Sequence, residues 1–129
     1  MEHRGQLVFL FLILAQAAHS IEEYVSKFVR GLRSGSFREQ PRQQRLTLGF
    51  VVANTALVAF GLWCWAVPVR SGWRAARGLM WFWTILELLN GISHSVIAMS
   101  LGGYFPGVVT APLLLLFAGW LATIQVKGT

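Results

Sequence analysis

Carboxylate and imidazole side chains occur inside two long apolar stretches of this sequence. The first stretch contains His19, Glu22 and Glu23, and the second contains Glu87 and His94. These residues include two of the chain's three histidines and three of its five acidic residues. A charged side chain at the centre of a bilayer costs at least about 2.5–3.5 kcal/mol on insertion scales, so such residues are rare and usually functional. The sequence therefore predicts a polar site within apolar helices.

The spacing in the first stretch places its polar residues on one face of a helix. Residues three and four positions apart are neighbours on a helix surface. His19 therefore shares a face with Glu22 and Glu23. Gln16, three positions before His19, extends this face by about one turn.

A second polar face is expected at the same depth. Glu87 is followed by Asn90 and His94, at i+3 and i+7. Asn90 comes 71 positions after His19, and His94 comes 71 positions after Glu23. The first and third predicted helices enter the membrane about 72 positions apart, and in an up-down bundle they run parallel. We expect the two faces to meet inside the bundle, because neither can face lipid without a large cost.

Histidine and glutamate are ligands of Zn, Fe and Mn sites, so a divalent metal cofactor is expected. Such an ion would neutralise the clustered carboxylates and could activate a bound water. The predicted ligands are His19, Glu22, Glu23, Glu87 and His94. The predicted catalytic residues are Glu22, Glu23, Glu87 and Asn90, with Glu23 preferred as general base. The leading hypothesis is a metal-dependent enzyme that acts on a lipid or isoprenoid-like substrate.

Three other interpretations remain open for the same residues. A metal-free isomerase or cyclase would use one Glu as acid and a second Glu or a His as base. A small ion or proton transporter would use them as a conduction path, although the fourth predicted span is almost wholly apolar. A structural role would make them a hydrogen-bonded knot that fixes helix register.

The elements that must position these residues are four apolar helices. The chain is 55% hydrophobic and 12% charged, with a mean hydropathy of +0.56, whereas soluble domains average about 25% charged residues. The sequence predicts a single all-α domain over residues 1–129, an integral membrane four-helix up-down bundle. Its spans are expected at residues 6–29, 46–67, 78–101 and 106–124, with the second ended by Pro68 and a polar connector over 31–44.

The first span has a competing explanation. Arg4, the apolar residues 7–15 and the sequence Ala15-Gln16-Ala17 together resemble a secretory signal peptide. Cleavage would then fall just before His19 and would dismantle the predicted site.

The basic charge of the chain predicts contact with lipid headgroups. The net charge is +6, and the Lys and Arg residues cluster between the apolar segments. This distribution is typical of loops that face anionic membranes, so we expect membrane lipid and no nucleic acid as partners. The loops predicted on the two sides of the membrane carry nearly equal positive charge, so the orientation of the chain in the membrane is undecided. Homo-oligomerisation is left open.

A hydrophobic small-molecule substrate would need a pocket beside the polar site. Trp83 precedes Glu87 by four positions and shares its face, so it is a candidate wall of this pocket. Asn54, in the second span, either completes the site or hydrogen-bonds across helices. Tyr104 lies in the turn before the fourth span and could cover one mouth.

The chain resembles a family of bacterial integral membrane proteins named for an HxxEE motif. The motifs that carry the resemblance are His19-x-x-Glu22-Glu23, Asn90-x-x-x-His94 and Tyr104-x-Pro106-Gly107. The resemblance implies a small multi-span domain of the inner membrane whose motif residues are functional. It implies no particular reaction, so it supports the site without naming the chemistry.

Overall fold

The computed structural model describes residues 3–33 and 41–128 of the chain. Its four α-helices, labelled α1 to α4 in chain order, are His3–Arg33, Pro41–Cys64, Ala76–Leu101 and Ala111–Lys127. No strand occurs among the described residues, so the predicted all-α four-helix bundle is confirmed. The segments long and apolar enough to cross a membrane are His3–Val29, Arg45–Val69 and Ala76–Leu101. These three helices fit a membrane protein.

The second helical segment passes the proline that was expected to end it. A π-helical turn, Trp65–Val69, continues α2 and contains Pro68. Arg70 N–H donates to the Trp65 carbonyl, five residues back, at 3.2 Å. This wider turn accommodates a proline, which has no N–H for the regular helical ladder.

The predicted connector over residues 31–44 is shorter than expected. Residues 31–33 belong to α1 and residues 41–44 belong to α2. Residues 34–40, the remainder of that prediction, lie outside the described part of the chain.

The fourth helix begins five residues later than the sequence suggested. The expected span starts at residue 106, but α4 starts at Ala111 and has 17 residues. At 1.5 Å per residue it is about 25 Å long, less than the about 30 Å of a hydrocarbon core. The preceding loop, residues 102–110, covers part of the remaining distance across the hydrocarbon core. Its Pro106 and Gly107 are buried. Irregular backbone at membrane depth is tolerated where protein covers it.

The apolar core forms between three helices, and α4 packs mainly against α1 and α3. Its fully buried side chains include Phe9 and Leu12 from α1, Trp83 from α3 and Leu121 from α4. Gly91 lets α3 and α4 approach closely, since a Cβ there would lie 2.8 Å from the Leu115 side chain. Small residues at helix contacts are a common means of close packing in membranes.

Helix α2 lies at the edge of this core and exposes most of its apolar side chains. Leu46, Leu48 and Val52 are each more than half exposed. Its far end is fixed to α1 by a hydrogen bond from Trp65 Nε1 to the Gln6 carbonyl at 3.1 Å. An exposed apolar helix of this length is suited to contact with lipid chains.

Candidate metal centre

Two imidazoles and one carboxylate converge where α1, α3 and the loop before α4 meet. Nε2 of His19 lies 2.9 Å from Oε1 of Glu23, and Nε2 of His94 lies 3.3 Å from the same oxygen. The two rings are 4.5 Å apart between centroids, edge to face. The ligand atoms of all three side chains lie within 4.8 Å of one another. We call His19, Glu23 and His94 the triad.

The hydrogen bond on the far side of His94 fixes which ring nitrogen carries the proton. Nδ1 lies 2.8 Å from the Pro106 carbonyl oxygen. A carbonyl oxygen can only accept, so Nδ1 must donate. In the neutral imidazole, Nε2 then presents a lone pair toward Glu23. Metal-bound histidines usually donate their other ring N–H to a partner of this kind.

The same reasoning applies to His19 through Thr110. Nδ1 of His19 lies 2.8 Å from Thr110 Oγ1, and that hydroxyl lies 2.8 Å from Oε1 of Glu22. The single hydroxyl proton goes to the carboxylate, so the Thr110 oxygen accepts from His19 Nδ1. Nε2 of neutral His19 therefore also presents a lone pair. It lies near Glu23 without the alignment of a hydrogen bond, and His19 is only 1% exposed.

A positive charge at the centre of the triad would therefore stabilise this arrangement. Two lone pairs and a carboxylate oxygen repel one another unless a proton or a metal ion lies between them. In a tetrahedral site with metal–ligand bonds of about 2.0–2.1 Å, neighbouring ligand atoms are about 3.3–3.4 Å apart. The distance from Glu23 to His94 matches this spacing at 3.3 Å, and the distance to His19 is shorter at 2.9 Å. Two histidines and one carboxylate are the protein ligands of catalytic zinc sites and of non-haem iron sites.

The structure directs Glu22, a predicted ligand and catalytic residue, to the loop before α4 instead. Its carboxylate accepts hydrogen bonds from the backbone N–H groups of Gly107, Val109 and Thr110 at 2.8–3.3 Å. The hydroxyl groups of Tyr104 and Thr110 donate to it at 2.7 and 2.8 Å. This carboxylate thus caps the N-terminus of α4, where the helix dipole favours negative charge. Glu22 lies outside the triad and is linked to it by the Thr110 hydroxyl, which contacts His19, and by the loop that holds Pro106 and Gly107.

Tyr104, predicted to cover a pocket mouth, ties the same loop to α1. Its hydroxyl donates to Glu22 and accepts from Ser26 Oγ at 2.6 Å. Burial and the Glu22 carboxylate both raise the pKa of Tyr104 above its ordinary value. The phenol therefore keeps its proton at neutral pH and remains a donor to Glu22.

Glu87 and Asn90 form a second polar cluster, about one to two turns before the triad along α3. Glu87 is fully buried and accepts a hydrogen bond from Asn90 Nδ2 at 3.3 Å. With its amide nitrogen facing the carboxylate, Gln16 donates to Oε2 of Glu87 at 2.8 Å. Glu87 is therefore not among the residues that the structure brings together around Glu23. It lies seven residues before His94, about 10 Å along the helix axis.

The two other predicted pocket residues take part in helix packing. Asn54 Oδ1 accepts from Ser20 Oγ at 2.8 Å, which joins α2 to α1. Trp83 lies fully buried in the apolar core, with its ring 6.1 Å from that of Phe60. Asn54 thus makes a hydrogen bond between helices, which was one of its two predicted roles, and Trp83 is part of the apolar core.

Sequence reasoning did not identify the residues that orient the two histidines. Thr110 carried no signal, because a lone threonine before an apolar run is common at helix starts. Pro106 and Gly107 were visible only as part of a turn motif. Their roles depend on a backbone carbonyl and on space, neither of which residue type reveals.

Gly107 is the position where a single methyl group is expected to disturb the triad. Its φ is +96°, and a Cβ there would collide with Cε1 of His19 and lie 2.8 Å from Nδ1 of His94. We expect Gly107→Ala to lower the free energy of unfolding by about 2–4 kcal/mol, from backbone strain plus overpacking. Chemical denaturation in detergent would measure this loss. Gly103→Ala is the matched control, since a Cβ there meets nothing within 4 Å; equal losses in both variants would contradict the prediction.

The fold and this site define an all-helical protein of membrane type with a partly buried two-histidine, one-carboxylate cluster. The HxxEE sequence supplies the first histidine and, in its second glutamate, the carboxylate of that cluster. The chain belongs to the HXXEE family. The model of that family, described as protein of unknown function with HXXEE motif, matches residues 10–121. No curated protein and no solved structure matched the chain.

Proposed function

We propose that this protein is a membrane-embedded metalloenzyme whose triad binds one divalent cation, Zn, Fe or Mn. Its substrate would be a lipid or isoprenoid-like molecule that enters from the bilayer. The observation that carries the proposal is the orientation of the histidines. Both outer Nδ1 atoms are engaged by oxygen acceptors, so both neutral Nε2 atoms carry a lone pair, and they lie 2.9 and 3.3 Å from one carboxylate oxygen.

Three protein ligands leave coordination positions for water or substrate, which is the arrangement of catalytic metal sites. A bound divalent ion would supply Lewis-acid chemistry there. The protein's own part is to hold the ligands and to accept a proton. Only Oε1 of Glu23 faces the two imidazoles, so Oε2 of the same side chain is the group we assign as proton acceptor.

The position of the triad along the helices supports an amphiphilic substrate. His94 lies seven residues before Leu101, the last residue of α3 (101 − 94 = 7), or about 10 Å along the helix axis. Exposed apolar side chains flank the site, among them Ile21 and Val109. A lipid whose chains contact this surface would place the bonds near its headgroup at the triad. The inner membrane of a bacterium is the location we propose, from the family resemblance.

Metal analysis of the purified full-length protein tests this proposal. Protein extracted in neutral detergent without chelator is expected to retain about one equivalent of a divalent metal per chain. After removal of that metal, Co²⁺ should bind and give the visible absorption of a low-symmetry N/O site. Trace metal only, together with no cobalt spectrum, would reject the metalloenzyme proposal.

A metal-free acid–base enzyme is the second candidate, and one distance favours it. The 2.9 Å between His19 and Glu23 also fits a histidinium–carboxylate ion pair. In this case a proton rather than a metal supplies the positive charge at the centre of the triad. The same metal analysis separates the two, because a proton-filled triad retains neither the native metal nor Co²⁺.

A further inference from the structure

A half-open cleft of about 580 Å³ lies at the end of the bundle far from the triad. It forms where α1 and α3 begin and α4 ends. Arg4 is the second residue of α1, Arg77 is the second of α3, and Lys127 is the last of α4. Three helices thus each bring one cationic side chain to the same cleft.

These three cations have no carboxylate partner among the residues that the structure describes. The acidic side chains in that part of the chain are Glu22, Glu23 and Glu87. Glu22 caps α4, Glu23 belongs to the triad, and Glu87, near the middle of α3, accepts from Asn90. The described ion pairs involve only histidines. Converging cations repel one another, so the cleft is built for an anion that the described residues do not supply. The first turn of α1 contains no acidic residue, and the positive end of its helix dipole adds to this field.

The floor of the cleft combines apolar and polar groups. Met80 is 1% exposed and Ile124 lies beside it on the lining. Gln125 is 93% buried (7% exposed), and its Nε2 donates to Thr84 Oγ1 at 3.0 Å. Its Oε1 accepts no hydrogen bond from any described group. A ligand with a hydroxyl or amine donor would satisfy this buried acceptor.

We propose that this cleft binds the phosphate-bearing headgroup of an anionic membrane lipid. The cationic rim matches the phosphate, the free Gln125 oxygen matches a glycerol hydroxyl, and the apolar floor matches the start of the acyl chains. The volume lies in the range of about 300–1,000 Å³ that is usual for small-ligand sites. The cleft also sits where two membrane-spanning segments begin, at His3 and Ala76, which is the level of lipid headgroups. Basic pockets between membrane helices bind headgroups of this type.

Native mass spectrometry of the full-length protein, with phosphatidylglycerol or phosphatidylcholine added in neutral detergent, tests the proposal. We expect wild type to retain phosphatidylglycerol preferentially. The double variant Arg77→Gln/Lys127→Gln should lose about tenfold or more of that retention, because two cationic contacts are gone. Arg74→Gln is the matched control, since Arg74 lies just before α3 and outside the cleft lining.

Three other results would overturn the lipid-binding proposal. Equal retention by the double variant would show that the cleft cations do not hold the lipid. An equal loss in Arg74→Gln would show general charge attraction, and either result would overturn the proposal. Saturable binding of inorganic phosphate without retention of phosphatidylglycerol would overturn the lipid assignment. Lys127→Gln alone changes an exposed residue at the end of α4 and should not disturb the fold. It should lose less phosphatidylglycerol retention than the double variant. The metal content of the triad does not enter any of these measurements.

Discussion

Removal of any one triad side chain is expected to empty the proposed metal site. Each substitution takes away one of the three bonds that the protein would make to the ion. Replacement of groups that only support the ligands costs about 10–100-fold in metal affinity, so loss of a ligand should cost more than about 100-fold. We therefore expect His19→Ala, Glu23→Gln and His94→Ala each to purify with little metal.

The three variants differ in how far they disturb the fold, so a loss of metal can be told apart from misfolding. His19 is buried, so its truncation opens a cavity and frees the Thr110 hydroxyl. Glu23 and His94 are each 16% exposed, and Glu23→Gln keeps the shape of the side chain. Glu23→Gln is therefore the sharpest variant, because it removes the negative charge and little else. Elemental analysis and Co²⁺ titration, with circular dichroism as a check on folding, provide the measurement.

His3→Ala is the matched control for the two histidine substitutions. His3 is exposed at the start of α1, far from the triad, and should leave metal content at the wild-type level. Full metal stoichiometry and affinity in Glu23→Gln or His94→Ala would remove that residue from the ligand set. If both variants kept full stoichiometry and affinity, the metal would have to bind elsewhere in the chain.

The sequence was informative about faces and depth because these follow from helix geometry. His19 and Glu23 are four residues apart, and one turn of helix is enough to bring them together. The 71-residue offset between Glu23 and His94 placed them at one level, and the structure finds their side chains 3.3 Å apart. Apolar composition likewise indicated the helices, since about 20 apolar residues make a span.

The sequence was uninformative where a role depends on what packs against a face. Glu22 and Glu23 have the same chemistry and are adjacent, yet one caps α4 and the other faces two histidines. The choice between them is made by the position of the loop before α4, which no periodic pattern encodes. Glu87 lies apart from the triad for a different reason: a shared helix face does not imply a shared depth. Two turns of helix separate it from His94, and its carboxylate is held by Asn90 instead.

Glu22→Gln is expected to loosen the loop before α4 and to weaken metal binding indirectly. A glutamine has one acceptor oxygen where the carboxylate has two. Its NH₂ group would face either the N–H of Thr110, at the Oε1 position, or the N–H groups of Gly107 and Val109, at the Oε2 position. Hydrogen bonds to charged groups contribute about 1.5–3 kcal/mol each and are not additive. Because Glu22 is only partly buried, we expect a loss of about 3 kcal/mol in the free energy of unfolding.

Two measurements report on the two consequences of this substitution. Amide hydrogen exchange in the loop that contains Gly107, Val109 and Thr110 should rise by about tenfold or more, since the single oxygen of glutamine cannot accept from all three N–H groups. Metal affinity should fall by about 10–100-fold, as is usual for residues that orient a ligand, because Thr110 no longer holds His19 in place.

Two comparison variants separate the capping role of Glu22 from metal ligation. Tyr104→Phe removes one hydroxyl donor to Glu22 and leaves its three backbone contacts, so it should show a smaller increase in exchange. Glu23→Gln should show the opposite pattern to Glu22→Gln: metal is lost while the loop amides stay protected. If Glu22→Gln instead lost all metal and kept its loop protection, Glu22 would be a ligand, and the capping role inferred from its five donors would be wrong.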